Sequence, residues 1–97
     1  MYIERINEEL AAIDPILYAV EVEDFESDDQ AVKVGIKGGD FFALITEDDH
    51  GYEIEDLDFG YDNRASIAFT RYYKEAIKIA AEHCLAINAE FQRESEL

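Results

Sequence analysis

Basic residues are scarce in this sequence. Eight Lys and Arg stand against 24 Asp and Glu in 97 residues, so the formal net charge at pH 7 is −16. Small domains usually carry a net charge of magnitude about 2–8. A surface this negative repels phosphate groups, which argues against DNA, RNA and anionic membranes as direct partners. Composition therefore favours a cationic partner. The alternative interpretation is that acidity only maintains solubility or reflects a salt-loving source organism.

Cysteine and long apolar runs are scarce too. The single cysteine, Cys84, excludes an internal disulfide bond. No apolar run approaches a membrane span, and no basic-then-apolar signal peptide is recognised. These absences make a reducing, cytoplasmic setting the expectation. Because 48% of the residues are hydrophobic, including six Tyr and six Phe, we expect one folded domain over residues 1–97.

The first segment, YIERINEELAAI, predicts an amphipathic helix. Its apolar residues recur at spacings of three, four and three, which is one stripe of a helix. The helix should end at Asp14-Pro15, because the residue before a proline avoids helical geometry. The stripe consists of Ile3, Ile6, Leu10 and Ile13.

Four segments, ILYAVEVEDF, QAVKVGIK, DFFALIT and YEIED, then predict β-strands. DFFALIT is the most apolar and is expected at the centre of the sheet. Gly38-Gly39 is a signal for a two-residue hairpin turn. The alternation predicts core positions for Val20, Val22, Val32, Val34, Ile36, Tyr52 and Ile54. The opposite face is expected to carry Glu21, Glu23, Lys33, Lys37, Glu53 and Glu55.

From about Arg64 to Arg93 no Gly or Pro interrupts the chain, which predicts one long helix capped by Asp62 or Asn63. We expect an α+β fold of the order αββββα, with both helices on one face of a four-stranded antiparallel sheet. His83 is expected at the edge of the helix's apolar sector, and Cys84 within it as a buried structural thiol. The apolar sector comprises Phe69, Tyr73, Ala76, Ile77, Ala80, Cys84, Ile87 and Phe91.

The carboxylates are unevenly distributed along the chain. Between Arg5 and Arg64 there are 18 acids and two bases, whereas Arg64 to Arg93 contains five bases and three acids. Acidification for solubility alone would spread the charge more evenly, so the asymmetry favours a binding surface. The predicted partner-binding residues form two clusters. They are Glu21, Glu23, Asp24, Glu26, Asp28 and Asp29, followed by Glu47, Asp48, Asp49, Glu53, Glu55, Asp56 and Asp58.

No motif for chemistry accompanies these acids. The stretch from Asp24 fails the EF-hand pattern, because Asp29 replaces the glycine of the sixth position and Gly35 the glutamate of the twelfth. We therefore expect no enzyme activity, no cofactor and no dedicated metal site. Weak divalent-cation binding at EDDHG is an alternative. Tyr72 and Ile79 fall outside the main apolar sector of the long helix, where they would contact the first helix or form a homodimer.

In size, net charge and lack of motifs, the chain resembles the phage-encoded anti-CRISPR proteins and related DNA-mimic inhibitors. The acidic clusters within residues 21–29 and 47–58 carry this resemblance. It implies a non-catalytic inhibitor that occupies a basic, nucleic-acid-binding surface, such as that of a CRISPR effector subunit or another DNA-handling protein. The alternative is an immunity protein or antitoxin that neutralises a basic toxin such as a nuclease. A divalent-metal-binding domain or an oligomeric structural domain is a further interpretation.

Overall fold

The fold is a five-stranded antiparallel sheet with one helix before it in the chain and one after it. The structure, a computed structural model, describes residues 2–22, 30–57 and 64–95. Each strand pairs with its neighbour in the chain, so the strand order is the sequence order. The α+β class and the two terminal helices are confirmed. The elements are α1 (Ile3–Ile13), β1 (Leu17–Glu21), β2 (Gln30–Ile36), β3 (Phe41–Asp48), β4 (Gly51–Leu57), β5 (Arg64–Thr70) and α2 (Tyr73–Ser95).

A single hydrophobic core holds both helices against one side of the sheet. Leu10 of α1 and Ala80 of α2 are fully buried together with Val34 and Ile54 of the sheet. Alternate residues of a strand point to the same side, so these strand positions define the side under the helices. We call it the helix face, and we call the opposite side the outer face.

Asn7 ties α1 to the edge strand β1. Its Nδ2 donates to the carbonyl of Ala19 at 3.1 Å, and its Oδ1 accepts from the Ala19 amide at 2.8 Å. Edge strands expose unpaired backbone groups that invite another strand. The Asn7 amide occupies two of these groups on β1. As predicted, α1 stops at Asp14-Pro15: Ile13 is its last residue, and Asp14 is extended (φ −158, ψ 128).

The strand β5 is the main departure from the predicted fold. The predictions of four strands and of a helix from about Arg64 are wrong, because Arg64–Thr70 forms a fifth strand and α2 begins at Tyr73. In the register, Ile54 pairs with Ala68 but Glu55 pairs with Ser66, so one residue of β5 is extra. This β-bulge disrupts the two-residue alternation by which a strand is recognised.

Thr70 forms the junction between β5 and α2. The Tyr72 amide donates to Thr70 Oγ1, and Thr70 Oγ1 donates to Glu75 Oε2, both at 3.1 Å. The predicted caps, Asp62 and Asn63, lie outside the described residues. Tyr72 precedes the helix and is 70% exposed, whereas Ile79 packs against the core. These two residues therefore do not share a helix face.

The predicted core face of β1 is wrong. Leu17 and Ala19 enter the core, with 1% and 3% exposure, while Val20 is only half-buried and points to the outer face. Glu21 consequently lies on the helix-face side of the strand end. Apolar residues alternate in two overlapping sets in this segment, Leu17 with Ala19 and Val20 with Val22. Packing against α1 selects the set that contains Leu17. The faces predicted for β2 and β4 are confirmed by burial of Val34 and Ile54.

The turn between β2 and β3 is longer than predicted. It comprises residues 37–40 rather than Gly38-Gly39 alone. The Gly39 amide donates to the Ile36 carbonyl at 2.9 Å, and the Ile36 amide donates to the Asp40 carbonyl at 3.2 Å. Gly38 has a φ of 78°, in the left-handed region that glycine adopts easily.

Cys84 is a buried structural thiol, as predicted. It is 0% exposed, and its Sγ donates to the Val34 carbonyl at 3.4 Å. Burial raises the pKa of the thiol to about 12. In the described part of the chain, neither helix combines the length and the apolar character needed to cross a membrane.

Candidate functional site

Antiparallel pairing brings acids from separate strands to one end of the sheet. β1 ends at Glu21, β3 ends with Glu47 and Asp48, and Asp49 follows in the next turn. The register places Glu21 two strands away from Glu47 and offsets it by two residues. Standard strand spacings put their Cα atoms about 12 Å apart. We call Glu21, Glu47, Asp48 and Asp49 the acidic end.

The acidic end thus joins members of both predicted clusters. The other predicted residues of the first cluster, and one of the second, are outside the described residues. These are Glu23, Asp24, Glu26, Asp28, Asp29 and Asp58.

The turn between β3 and β4 holds Asp48 in place. Its Oδ1 accepts hydrogen bonds from the amides of His50 at 2.7 Å and Gly51 at 3.0 Å. Asp side chains stabilise turns in this way. Asp48, Asp49 and His50 are all exposed, and His50 lies in the turn. These two hydrogen bonds orient the Asp48 carboxylate next to the exposed Asp49.

Glu47 has a neutral partner. It alternates with core residues of β3 and lies opposite Tyr52 of β4, on the helix face. Burial raises the pKa of Tyr52 to about 12, and the hydrogen bond from its hydroxyl to Glu47 contributes to the rise. The Tyr52 ring lies 6.1 Å from the ring of Tyr73. A phenol donor orients Glu47 without cancelling its charge.

Ion pairs do not neutralise the acidic end in the part of the chain that the structure describes. Among the described residues, none of its four carboxylates pairs with a lysine or arginine. Arg71 follows β5 at this end, and its Cα lies close to Gly51, yet it forms no ion pair there within the described part of the chain. Lys74 and Lys78 are exposed on α2.

The outer face is less acidic than predicted. Glu53 and Glu55 lie there, as expected from their alternation with Ile54, but Glu21 does not. The centre of this face is apolar. Leu44, which is 3% exposed, lies between Lys33 and Glu55 in the register. The aliphatic stems of such long side chains can cover an apolar neighbour while their charged ends reach water.

Asp56 points away from the outer face. It shares the helix-face side of β4 with Ile54, and its Oδ1 lies 2.6 Å from Nε2 of His83 on α2. His83, predicted only as a boundary residue, thus links α2 to the sheet. Asp56 is engaged in an internal contact and does not extend the acidic end.

The described residues do not form an evident metal centre. Within the ranges that the structure describes, no three His, Cys, Asp or Glu side chains are grouped so that they could hold a metal ion. In the EDDHG turn, Asp48 already accepts two backbone hydrogen bonds.

No family model, curated protein or solved structure matches this chain. The resemblance to anti-CRISPR and other DNA-mimic inhibitors therefore stays a prediction.

Sequence reasoning missed two features of the surface. The pairing of Asn7 with β1 could not be inferred, because a polar residue on an amphipathic helix normally faces water. Phe69, assigned to the apolar sector of a helix, is instead 52% exposed on β5. The run of Ile, Phe and Thr in Ile67–Thr70, all residues favoured in strands, was the available signal.

Proposed function

We propose that this protein is a non-catalytic inhibitor that binds a basic, nucleic-acid-binding surface of a target protein through its acidic end. One observation carries the proposal. The sheet register collects Glu21, Glu47, Asp48 and Asp49 at one end, and no lysine or arginine of the described residues pairs with them.

Uncompensated carboxylates act at long range. Crowded like charges destabilise a fold, but they attract a cationic surface and accelerate association with it. A groove built to neutralise phosphates with Lys and Arg presents such a surface. Carboxylates collected at one end of a sheet can occupy it in place of nucleic acid. Inhibition by occlusion needs no catalytic group, and a CRISPR effector subunit or a nuclease is a suitable target.

Placement of charge can be tested separately from total charge. The test variant carries Glu21→Gln, Glu47→Gln, Asp48→Asn and Asp49→Asn, which changes the net charge from −16 to −12. Asn at position 48 retains an oxygen for the turn hydrogen bonds. The matched control, also at −12, neutralises four exposed acids on the helices: Glu4, Glu8, Glu82 and Glu90, each changed to Gln.

The measurement is competition with DNA. A basic target is recovered from host lysate on the immobilised protein at low salt, and the protein then competes with a fluorescent duplex for that target. We expect the test variant to compete at least about tenfold more weakly than the parent, because local charge controls association. The control should compete within about twofold of the parent. Equal losses in both variants would show that only net charge matters. A target that still binds the duplex while in the complex would rule out occlusion.

A further inference from the structure

The two edges of the sheet differ in their protection. The Asn7 side chain bonds both backbone groups of Ala19 on the β1 edge. On the opposite edge, no strand within residues 2–22, 30–57 and 64–95 pairs with the outer side of β5. An edge strand presents backbone N–H and C=O groups to which another strand can add. Within the described residues, β1 and β5 are the two edge strands, and no side chain bonds the outer backbone groups of β5 as Asn7 bonds those of β1.

The surface of β5 is apolar and free of acids. The strand sequence is RASIAFT, in which Ile67 is 38% exposed and Phe69 is 52% exposed. On β4, Glu53 lies directly opposite Phe69 in the register. An exposed aromatic ring therefore adjoins a carboxylate on the outer face, next to the open edge.

The same outer face already contains a lysine on a phenylalanine ring. Lys33 Nζ of β2 lies 4.5 Å from the ring centroid of Phe41, which belongs to the neighbouring strand β3. The faces of aromatic rings attract cations in this geometry. A lysine on a strand added beside β5 would meet Phe69 in the equivalent arrangement, with Glu53 one strand further in.

We propose that the outer edge of β5 binds an extended, lysine- or arginine-bearing strand of the partner protein, which adds to the sheet and places a cationic side chain against Phe69 and Glu53. The basic character of that partner rests on the proposed function. Backbone pairing would supply affinity, and the ring and the carboxylate would select the cation.

A second copy of this chain fits the edge less well. Antiparallel pairing of two β5 strands about Ile67 would bring their bulges together at the centre of the new pair. Two chains of net charge −16 would also repel each other. A regular strand that carries positive charge avoids both problems.

The probe is a synthetic peptide, acetyl-Thr-Lys-Val-Lys-Val-Lys-Thr-amide. The first control peptide has glutamate in place of each lysine. The second has proline in place of its central lysine and an added terminal lysine, so the charge is kept but strand pairing is blocked.

Affinity is measured by titration of the full protein, and binding is located by amide hydrogen exchange. We expect the lysine peptide to bind and to slow exchange within Arg64–Thr70. The proline peptide should bind about tenfold more weakly, and the glutamate peptide not at all.

Variants then test the two side chains. Phe69→Ala should weaken the lysine peptide about threefold, the size of an exposed cation–π contact, whereas Tyr72→Ala, an exposed aromatic outside the strand, should have no effect. Glu53→Gln should weaken binding of the lysine peptide more than Glu21→Gln does, because Glu21 lies on β1, far from the β5 edge, although both changes remove one negative charge.

Two results would overturn the proposal. One is equal binding of the lysine and proline peptides without slowed exchange in β5, since that is charge attraction alone. The other is a dimer of this chain that Phe69→Ala dissociates. Either result leaves the DNA-competition test of the acidic end untouched. Failure of that competition, conversely, leaves peptide binding at β5 measurable.

Discussion

Replacement of Asn7 by alanine should weaken the attachment of α1 to the sheet. The change removes a donor to the Ala19 carbonyl at 3.1 Å and an acceptor for the Ala19 amide at 2.8 Å. A neutral hydrogen bond contributes about 0.5–1.5 kcal/mol net, so we expect a loss of about 1–3 kcal/mol in the free energy of unfolding. With a urea m value of about 1.5 kcal/mol/M, the unfolding midpoint should fall by about 0.7–2 M.

Urea unfolding followed by circular dichroism measures this loss, and amide hydrogen exchange at Ala19 locates it. Glu8→Ala is the control, because Glu8 is an exposed neighbour on α1 and such substitutions change stability by about 0.5 kcal/mol or less. Asn7→Asp keeps an acceptor for the Ala19 amide but cannot donate to the carbonyl, so it should also destabilise. If Asn7→Ala unfolds at the same urea concentration as Glu8→Ala, with unchanged exchange at Ala19, the edge cap contributes nothing to stability.

The remaining predictions concern Gly51 and Cys84. Gly51→Ala should cost about 1–3 kcal/mol in thermal unfolding, because its φ is 147° and a Cβ would lie 2.6 Å from the Thr70 carbonyl oxygen. Gly39→Ala, whose nearest contact would be 3.5 Å, should cost less than half as much, and equal costs would contradict this steric account. Cys84 should resist alkylation at pH 8 until urea unfolds the chain, and rapid labelling of the native protein would show that the thiol is accessible. Its pKa rises from 9.0 to about 12 on folding, so the unfolded chain releases this proton first. The contribution of the thiol to stability is therefore complete below about pH 9 and declines as the pH rises towards 12. Urea midpoints of the parent and of Cys84→Ala from pH 8 to 11 measure this decline, and an equal pH dependence in both would refute it.

Local sequence patterns were sufficient for the elements whose signals lie within a few residues. The stripe of α1 and the Asp14-Pro15 stop predicted that helix and its end. Simple alternation predicted the core faces of β2 and β4, and the apolar sector of α2 predicted burial of Cys84. In each case the spacing of the apolar residues fitted either a helix or a strand, and it identified the face of that element that is buried.

The missed features depend on contacts between distant parts of the chain. β5 contains a bulge, so Ala65 and Phe69 lie on opposite faces although they are four residues apart, and only pairing with β4 shows which face each occupies. The face of β1 is chosen by packing against α1, since Leu17 and Val20 belong to competing alternations. The acidic end depends on sheet register, which places Glu21 at the same end of the sheet as the β3–β4 turn. No local pattern of charges reveals this placement.

The direction of α2 determines how the protein is best tethered. The helix starts at Tyr73, beside the acidic end. By Phe91 it has reached Phe42 at the far end of the sheet, where the two rings lie 5.9 Å apart. Its 23 residues span about 34 Å. A biotin or fusion domain joined after α2 therefore anchors the molecule by the end remote from Asp48 and Asp49, whereas an anchor on Tyr2, ahead of α1, sits at the carboxylate end and would obstruct it.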